Sequence, residues 1–258
     1  IAGHLDTNAA TMIGGIAIGS MLFDLLYWNF GFLRIGTGGL AAQAYGRGDR
    51  RDCAKILTRA LGLSLAIALC LIAIQWVFVK AAFLVVDCTP EVQQLATQYF
   101  FVRIWAAPAT LSLMALKGWF IGMQDSVSAM ICDVTVNGTN ILMSFLLALG
   151  LTIGRTVLVP AIGFSGIAAG TVIAQWTGLI TALLLVVFKY RRNTMILMRK
   201  EDVKGLFKGN ETRQFFVMNS DLFVRSLCFI AIYIGFTVIS ARYGDVLLAV
   251  SSIIMKLL

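Results

Sequence analysis

The feature that most constrains this chain is a series of long apolar segments that recur along its 258 residues. Each is longer than the roughly 20 residues that a helix needs to cross a bilayer, and far longer than the ten or so residues of a barrel strand. Because backbone groups in lipid must be bonded internally, each segment is expected to be a helix. The full segments lie at about 11–36, 56–80, 94–122, 128–150, 161–188 and 214–241, and another begins near Val246. The sequence therefore predicts an all-α polytopic membrane helical bundle with six full spans and one truncated span.

The composition excludes a soluble globular protein, because 59% of the residues are apolar and only 13% are charged, against about 25% charged in ordinary soluble domains. The five cysteines form no C-x-x-C pair and His4 is the only histidine, so we expect no metal site and no disulfide framework. The spans contain no paired nucleophile and base. We therefore predict no catalytic residues, no cofactor and no enzyme activity.

The net charge of +8 comes largely from basic residues in short loops, which is typical of cytoplasmic loops of membrane proteins rather than of nucleic-acid binding. If the spans alternate, the loops on one side carry Arg47, Arg50, Arg51, Lys55, Arg59, Lys189, Arg191, Arg192, Arg199, Lys200, Lys204, Lys208 and Arg213. The opposite loops offer only Lys80, Arg155 and Arg242. The first segment is therefore expected to run from outside to inside, with Cys53 reactive from the cytoplasm and Cys88 from outside.

A polar stripe interrupts the fourth apolar segment. Asp133, Asn137, Asn140 and Ser144 follow one another at spacings of four, three and four, which places them on one face of a helix. Such a stripe either bonds neighbouring helices together or lines a hydrated cavity. The sequence leaves these alternatives open.

Two further positions place charge inside the predicted spans. Asp24 is expected near mid-depth, where it either carries a proton or hydrogen-bonds to a neighbouring helix. Lys117 and Asp133 each lie eight residues from Asp125, so an antiparallel hairpin centred on Asp125 puts both at one depth, about two turns from the cytoplasmic end. We hypothesise an ion pair between them; in the alternative, Lys117 reaches the headgroups and Asp133 faces a wet cavity.

Several blocks resemble the multidrug and toxic compound extrusion (MATE) transporters, most closely the DinF-like subfamily. The resemblance is carried by Gly3-His4-Leu5 with Phe32 to Gly46, by Gly118 to Gln124, by Ala169 to Gln175 and by Asn219 to Cys228. The blocks follow the family's order and spacing over essentially the whole chain. They correspond to the end of the first helix through to the seventh helix of that family.

The resemblance implies a twelve-helix exporter with two lobes, in which a proton or sodium gradient drives efflux of organic, often cationic or amphipathic, compounds. It assigns residues 1–188 to the amino-terminal lobe without most of its first helix, 189–213 to a basic cytoplasmic connector, and 214–258 to the start of the second lobe. The chain starts without Met and stops inside an apolar stretch. We expect a fragment that reaches the start of the eighth helix and lacks the family's acid in the first helix.

The resemblance also bears on the polar residues. Thr171 and Gln175 match family positions close to the lobe cavity, although ordinary hydrogen bonds between helices explain them equally well. Ser144 stands where the family commonly has Asp, and a hydroxyl cannot titrate. The candidate substrate or cation site therefore comprises Asn137, Asn140, Ser144, Thr171, Gln175, Asp24 and Asp133, and the family does not predict the pair Lys117 and Asp133.

Two other functions compete with efflux. A flippase for lipid-linked or polysaccharide precursors belongs to the same wider superfamily, but it would need a strongly basic cavity, and basic residues within the spans are few. A seven-helix receptor would agree with the number of spans, but the seventh is cut short. We expect a monomeric multi-pass protein of the cell membrane, with the lipid bilayer and an organic small molecule as its partners.

Overall fold

The computed structural model describes residues 9–84, 86, 88–153, 156–159, 164–190 and 210–242. These residues form an all-α bundle. Its helices are α1 (Ala9–Trp28), α2 (Phe32–Gly46), α3 (Arg50–Ala82), α4 (Pro90–Arg103), α5 (Ala107–Gly122), α6 (Ser126–Leu149), α7 (Phe164–Lys189) and α8 (Asn210–Arg242). A short antiparallel hairpin, β1 (Leu151–Ile153) and β2 (Thr156–Val159), joins α6 to α7. The sequence predicted a loop there and not a hairpin.

The helices coincide with the predicted apolar segments, but fewer of them qualify as membrane spans than the six predicted. By length and composition, four stretches can cross a membrane: α3, the continuous stretch Pro90–Gly122, α6 and α7. The bent pair α1 and α2 would form a fifth. Helix α8 contains the sixth predicted segment, whereas the seventh, from Val246, lies outside the described residues.

Two of these stretches contain a short 3-10 turn, which the apolar pattern did not predict. A 3-10 turn, Asn29–Gly31, separates α1 from α2, and the two parts are bent by 43°. A second 3-10 turn, Ile104–Ala106, precedes α5, whose first turn contains Pro108. Proline has no N–H to continue the preceding helix and is tolerated in a first turn. Helix α1 packs against α4 and α2 against α5, so both parts of the bent pair contact the stretch Pro90–Gly122.

Helices α6 and α7 form the most extensive helix contact of the bundle, and three glycines of α7 allow it. A Cβ at Gly170 would lie 2.7 Å from the backbone N and the Oγ of Ser144. A Cβ at Gly166 would meet the carbonyl of Leu147, and one at Gly178 would meet the side chain of Val136. Small residues on one face are the common means by which membrane helices approach closely.

A hydrophobic cluster joins the start of α3 and the end of α5 to the residue that follows α7 and to the start of α8. Trp119 is fully buried, and its indole N–H donates to the carbonyl of Cys53 over 2.9 Å. The ring of Tyr190 meets that of Trp119 edge to face at 4.9 Å, and Phe215 near the start of α8 belongs to the same cluster. Tyr190, after the end of α7, and Phe215, near the start of α8, therefore meet at one site on the bundle.

Asp125 caps the first turn of α6 and anchors the end of α7. Its carboxylate accepts hydrogen bonds from the Ser128 backbone N–H at 3.2 Å, the Ser128 hydroxyl at 2.5 Å and the Tyr190 hydroxyl at 2.7 Å. Lys189 Nζ lies 2.8 Å from Asp125 Oδ2. Burial disfavours the charge of Asp125, but hydrogen bonds from Lys189, Ser128 and Tyr190 outweigh burial and hold the pKa of this carboxyl well below its usual value. Burial, and then the adjacent carboxylate, raises the pKa of Tyr190.

The expectation that Cys53 is reactive from the cytoplasm is wrong for this structure. Its side chain is only 1% exposed, because Cys53 faces the cluster around Trp119 rather than the basic surface of Arg50 and Arg51. The surrounding charges give no information on the face of the helix on which the thiol lies.

The first prediction tests the topology by labelling with a membrane-impermeant maleimide in a background without the other cysteines. Ser126→Cys, at the exposed start of α6, is expected to react only from the cytoplasm, and Cys88 only from outside. Cys53 is expected to react only after unfolding. Labelling of positions 88 and 126 from the same side would show that the number of spans between them is wrong.

The second prediction concerns Asp125. We expect Asp125→Asn to reduce the free energy of unfolding by about 1–2 kcal/mol, because the hydrogen bonds to the charged carboxylate are lost. The ion pair with Lys189 adds little to this loss, since the lysine is half exposed and solvent screens its charge. Because the folded state depresses the pKa of Asp125, this stabilisation is present above the carboxyl pKa of the unfolded chain, about 4, and is lost as the pH falls through the lower folded pKa.

Thermal unfolding in detergent between pH 3 and pH 7 measures both effects. Asp24→Asn is the matched control, because Asp24 is exposed and makes no hydrogen bond within the described residues. Equal stability of the wild type and Asp125→Asn at pH 7 would contradict the anchoring role.

Candidate functional site

The polar stripe of α6 runs from an exposed end to a buried end. Because α6 is a continuous helix from Ser126 to Leu149, the predicted spacing does place the four residues on one face. Asp133 and Asn137 are exposed, Asn140 is half-buried, and Ser144 is only 7% exposed. The stripe thus begins near the amino-terminal end of α6 and ends against α7.

At its buried end the stripe forms a small polar cluster with α7. The side-chain oxygen of Asn140 accepts hydrogen bonds from the hydroxyl of Ser144 at 3.1 Å and from the hydroxyl of Thr171 at 3.2 Å. The hydroxyl of Thr171 also lies 3.3 Å from the Ile167 carbonyl of its own helix. We call Asn140, Ser144 and Thr171 the amide-hydroxyl cluster.

The chemistry of this cluster is that of a neutral oxygen-rich site. Hydroxyls both donate and accept, so they can turn their lone pairs towards a ligand, and the amide supplies a further acceptor. Oxygen ligands suit hard cations. None of the three side chains titrates in the physiological range, so a proton-binding site needs a carboxylate from elsewhere.

The structure does not bring the remaining neutral candidates into this cluster. Asn137 is exposed one turn before it, and Gln175 is half-buried one turn after Thr171. Within the described residues neither side chain makes a hydrogen bond. Asp24 lies on α1, exposed, five residues before the bend at Asn29. In the described part of the chain it has no ion-pair partner.

The two charged residues of the α5–α6 hairpin meet as the register predicted. Lys117 Nζ lies 2.5 Å from Asp133 Oδ1. The side chain of Lys117 is 22% exposed and that of Asp133 is 54% exposed. The carboxylate at the start of the stripe is therefore paired and still accessible.

A third charged group inside the bundle has a packing role. Arg103, the last residue of α4, lies over the ring of Phe23 at 4.8 Å and donates to the hydroxyl of Tyr99 at 3.2 Å. It also approaches the hydroxyl of Ser20 at 3.4 Å. These contacts hold α1 against α4, and Arg103 is not part of the stripe.

The sequence interpretation missed Gly170, although it immediately precedes Thr171. Its absence of a side chain is what allows the backbone of Ser144 to approach α7. The spacing of Gly166 and Gly170, a G-x-x-x-G pattern, is the signal that could have indicated this contact.

Comparisons with known proteins agree with this architecture. The MatE family model matches residues 1–146. DNA damage-inducible protein F of Escherichia coli strain K12 is 30% identical over 260 residues, which covers 100% of this chain and 53% of that protein. The chain thus spans about half the length of this curated relative.

Solved structures share the fold at low sequence identity. A MATE structure in complex with MaD3S has a TM-score of 0.67 at 16% identity, over 97% of this chain and 53% of that chain. The lipid II flippase MurJ in an inward closed conformation has a TM-score of 0.53 at 13% identity, over 85% of this chain and 48% of that chain. Since the family model matches more than half of the sequence, the chain belongs to the MatE family of multidrug and toxic compound extrusion transporters.

Proposed function

We propose that the complete protein is a secondary active efflux transporter, which exchanges organic compounds, often cationic or amphipathic, for protons or sodium ions. Members of this family are membrane transporters and not enzymes, and the chain is a multi-pass protein of the cell membrane. The chain covers only 53% of its curated relative, so transport is proposed for the whole protein.

The observation that carries the proposal is the polar stripe of α6, which leads to the amide-hydroxyl cluster. Polar side chains are costly in hydrocarbon, and those that persist inside a membrane bundle usually face a cavity or a partner. Here Asn140 has two hydroxyl partners, while Asp133 and Asn137 remain exposed. A continuous polar face with one accessible carboxylate is suited to a cation or to a cationic compound.

Coupling to an ion gradient needs a group that the amide-hydroxyl cluster lacks. Ser144 cannot hold a proton, so we propose that Asp133 or Asp24 supplies the carboxylate within this part of the protein. Proton and sodium remain the two candidate coupling ions. No cofactor takes part in the proposed mechanism.

The proposed division of the chain is 1–188 for the first lobe, 189–213 for the connector and 214–258 for the start of the second lobe. In support, α7 ends at Lys189 and α8 begins at Asn210; α8 then packs against α2. Asn219 of α8 contacts Gly36, where a Cβ would lie 2.6 Å from the amide oxygen. We further propose that the transporter acts as a monomer in the bilayer.

Flippase activity is the weaker candidate. An anionic lipid precursor would call for free basic groups inside the bundle, and two of the basic groups there are already engaged, because Lys117 is paired with Asp133 and Arg103 lies over aromatic rings. The structure of the flippase MurJ also has a lower TM-score, 0.53, than the MATE structure in complex with MaD3S, 0.67. Membership of a transporter family removes the receptor alternative.

The third prediction tests the cluster in the complete protein. Asn140→Ala and Thr171→Val are each expected to lower coupled efflux of a cationic dye at least fivefold with normal membrane insertion, because each removes an oxygen from the cluster while insertion depends little on one polar side chain. Efflux is measured in cells or in vesicles with an imposed proton or sodium gradient.

Thr177→Val is the matched control for Thr171→Val. Both threonines donate to a carbonyl four residues earlier on α7, but only Thr171 also bonds Asn140. Unchanged efflux in Asn140→Ala and Thr171→Val would mean that the cluster only joins α6 to α7.

A further inference from the structure

The ion pair between Lys117 and Asp133 combines two groups with unequal surroundings. Lys117 lies five residues before the end of α5 at Gly122, and Asp133 lies seven residues after the start of α6 at Ser126. Both are therefore about two turns inside the cytoplasmic end. The lysine side chain is largely enclosed, whereas more than half of the aspartate side chain is exposed.

The exposed carboxylate retains capacity for a second ligand. Only Oδ1 of Asp133 accepts a hydrogen bond within the described residues, and the donor is Lys117. Met130 and Val134, on the exposed side of the same helix, are 58% and 65% exposed. A compound that combines one positive charge with an apolar body would match this surface, because the charge meets the carboxylate and the body meets the apolar side chains.

Such a compound would have to compete with the ammonium of Lys117. Leaving either charge alone at this depth is costly, so the carboxylate is held by Lys117 whenever no other cation is bound. The lysine stem is flexible, and its ammonium can move towards the cytoplasmic end when it is displaced. Exchange of one monovalent cation for the ammonium leaves the net charge at the carboxylate unchanged.

We propose that Asp133 binds the positive charge of a monovalent organic cation, and that Lys117 is an internal competitor that occupies the carboxylate between transport events. This inference rests on the proposed efflux function, and it specifies how the charge of the substrate is recognised and how the empty site is neutralised. If the ion pair only held α5 against α6, removal of Lys117 would not strengthen the binding of a cation.

Competition predicts that removing the competitor improves binding. If the pair leaves about one carboxylate in ten free, the apparent dissociation constant is about tenfold weaker than that of the free site. Loss of Lys117 should therefore strengthen the binding of a cation, even though it removes a favourable contact from the protein.

The test measures binding of tetraphenylphosphonium, a monovalent lipophilic cation, to the purified complete protein. Lys117→Met is expected to lower the dissociation constant about tenfold, Asp133→Asn to raise it at least tenfold, and Lys117→Arg to leave it near the wild-type value. Lys80→Met is the matched control, since it removes an exposed lysine at the opposite end of the membrane and should change nothing. Lys117→Gln keeps a neutral donor for Asp133 and serves as the second variant if Lys117→Met does not fold; it should also strengthen binding.

The outcomes separate this inference from the proposed function. Unchanged or weaker cation binding by folded Lys117→Met or Lys117→Gln overturns the competition by Lys117. Equal binding by the wild type and Asp133→Asn overturns the assignment of the site to Asp133. In either case, efflux by the wild type would leave the proposed function intact. Failure of the wild-type protein both to bind tetraphenylphosphonium and to export any organic cation overturns both proposals.

Discussion

The close approach of α6 and α7 is the contact on which the candidate site depends. Gly170 brings the α7 backbone against Ser144, and this places the hydroxyl of Thr171 within reach of Asn140. With a side chain at position 170 the helices would have to separate, and the polar end of the stripe would lose its partners. Gly166 and Gly178 extend the same approach towards both ends of α7. The packing of small residues therefore determines the chemistry of the site as much as the polar residues do.

The second constraint is the cost of charge inside a membrane. Three charged groups in the described part of the bundle are compensated by a partner of opposite charge or by an aromatic ring. Arg103 lies over aromatic rings, Lys117 pairs with Asp133, and Asp125, between α5 and α6, binds Lys189 and Tyr190. Asp24 differs, since it is exposed and unpaired within the described residues. Burial distinguishes these acids better than pairing does, because paired Asp125 is buried, whereas paired Asp133 and unpaired Asp24 are both exposed and accessible to a ligand or a proton.

The helices and the Lys117–Asp133 pair could be predicted from the sequence because each follows from a geometric rule with few exceptions. Long apolar segments must be helices in lipid, and residues equidistant from a hairpin turn must lie at one depth. The second rule led directly from the position of Asp125 to the proximity of Lys117 and Asp133. Helical spacing likewise placed Asn140 and Ser144 on one face.

Other features depend on contacts between distant parts of the chain and could not be read from local patterns. The burial of Cys53 depends on Trp119, which lies on another helix. The anchoring of Asp125 depends on Lys189 and Tyr190, at the far end of α7. Glycine 170 looked like part of a family motif, and only the position of α6 shows why a side chain there would be harmful.

The most direct test of this account compares Gly170→Ala with Gly138→Ala in the complete protein. Gly138 lies on the open side of α6, where a Cβ would meet nothing within 4 Å. We expect Gly170→Ala to insert into the membrane and lose most cation efflux, since α6 and α7 can no longer approach, whereas Gly138→Ala keeps it. Efflux by Gly170→Ala equal to that of Gly138→Ala would contradict the claim that the contact between α6 and α7 builds the site.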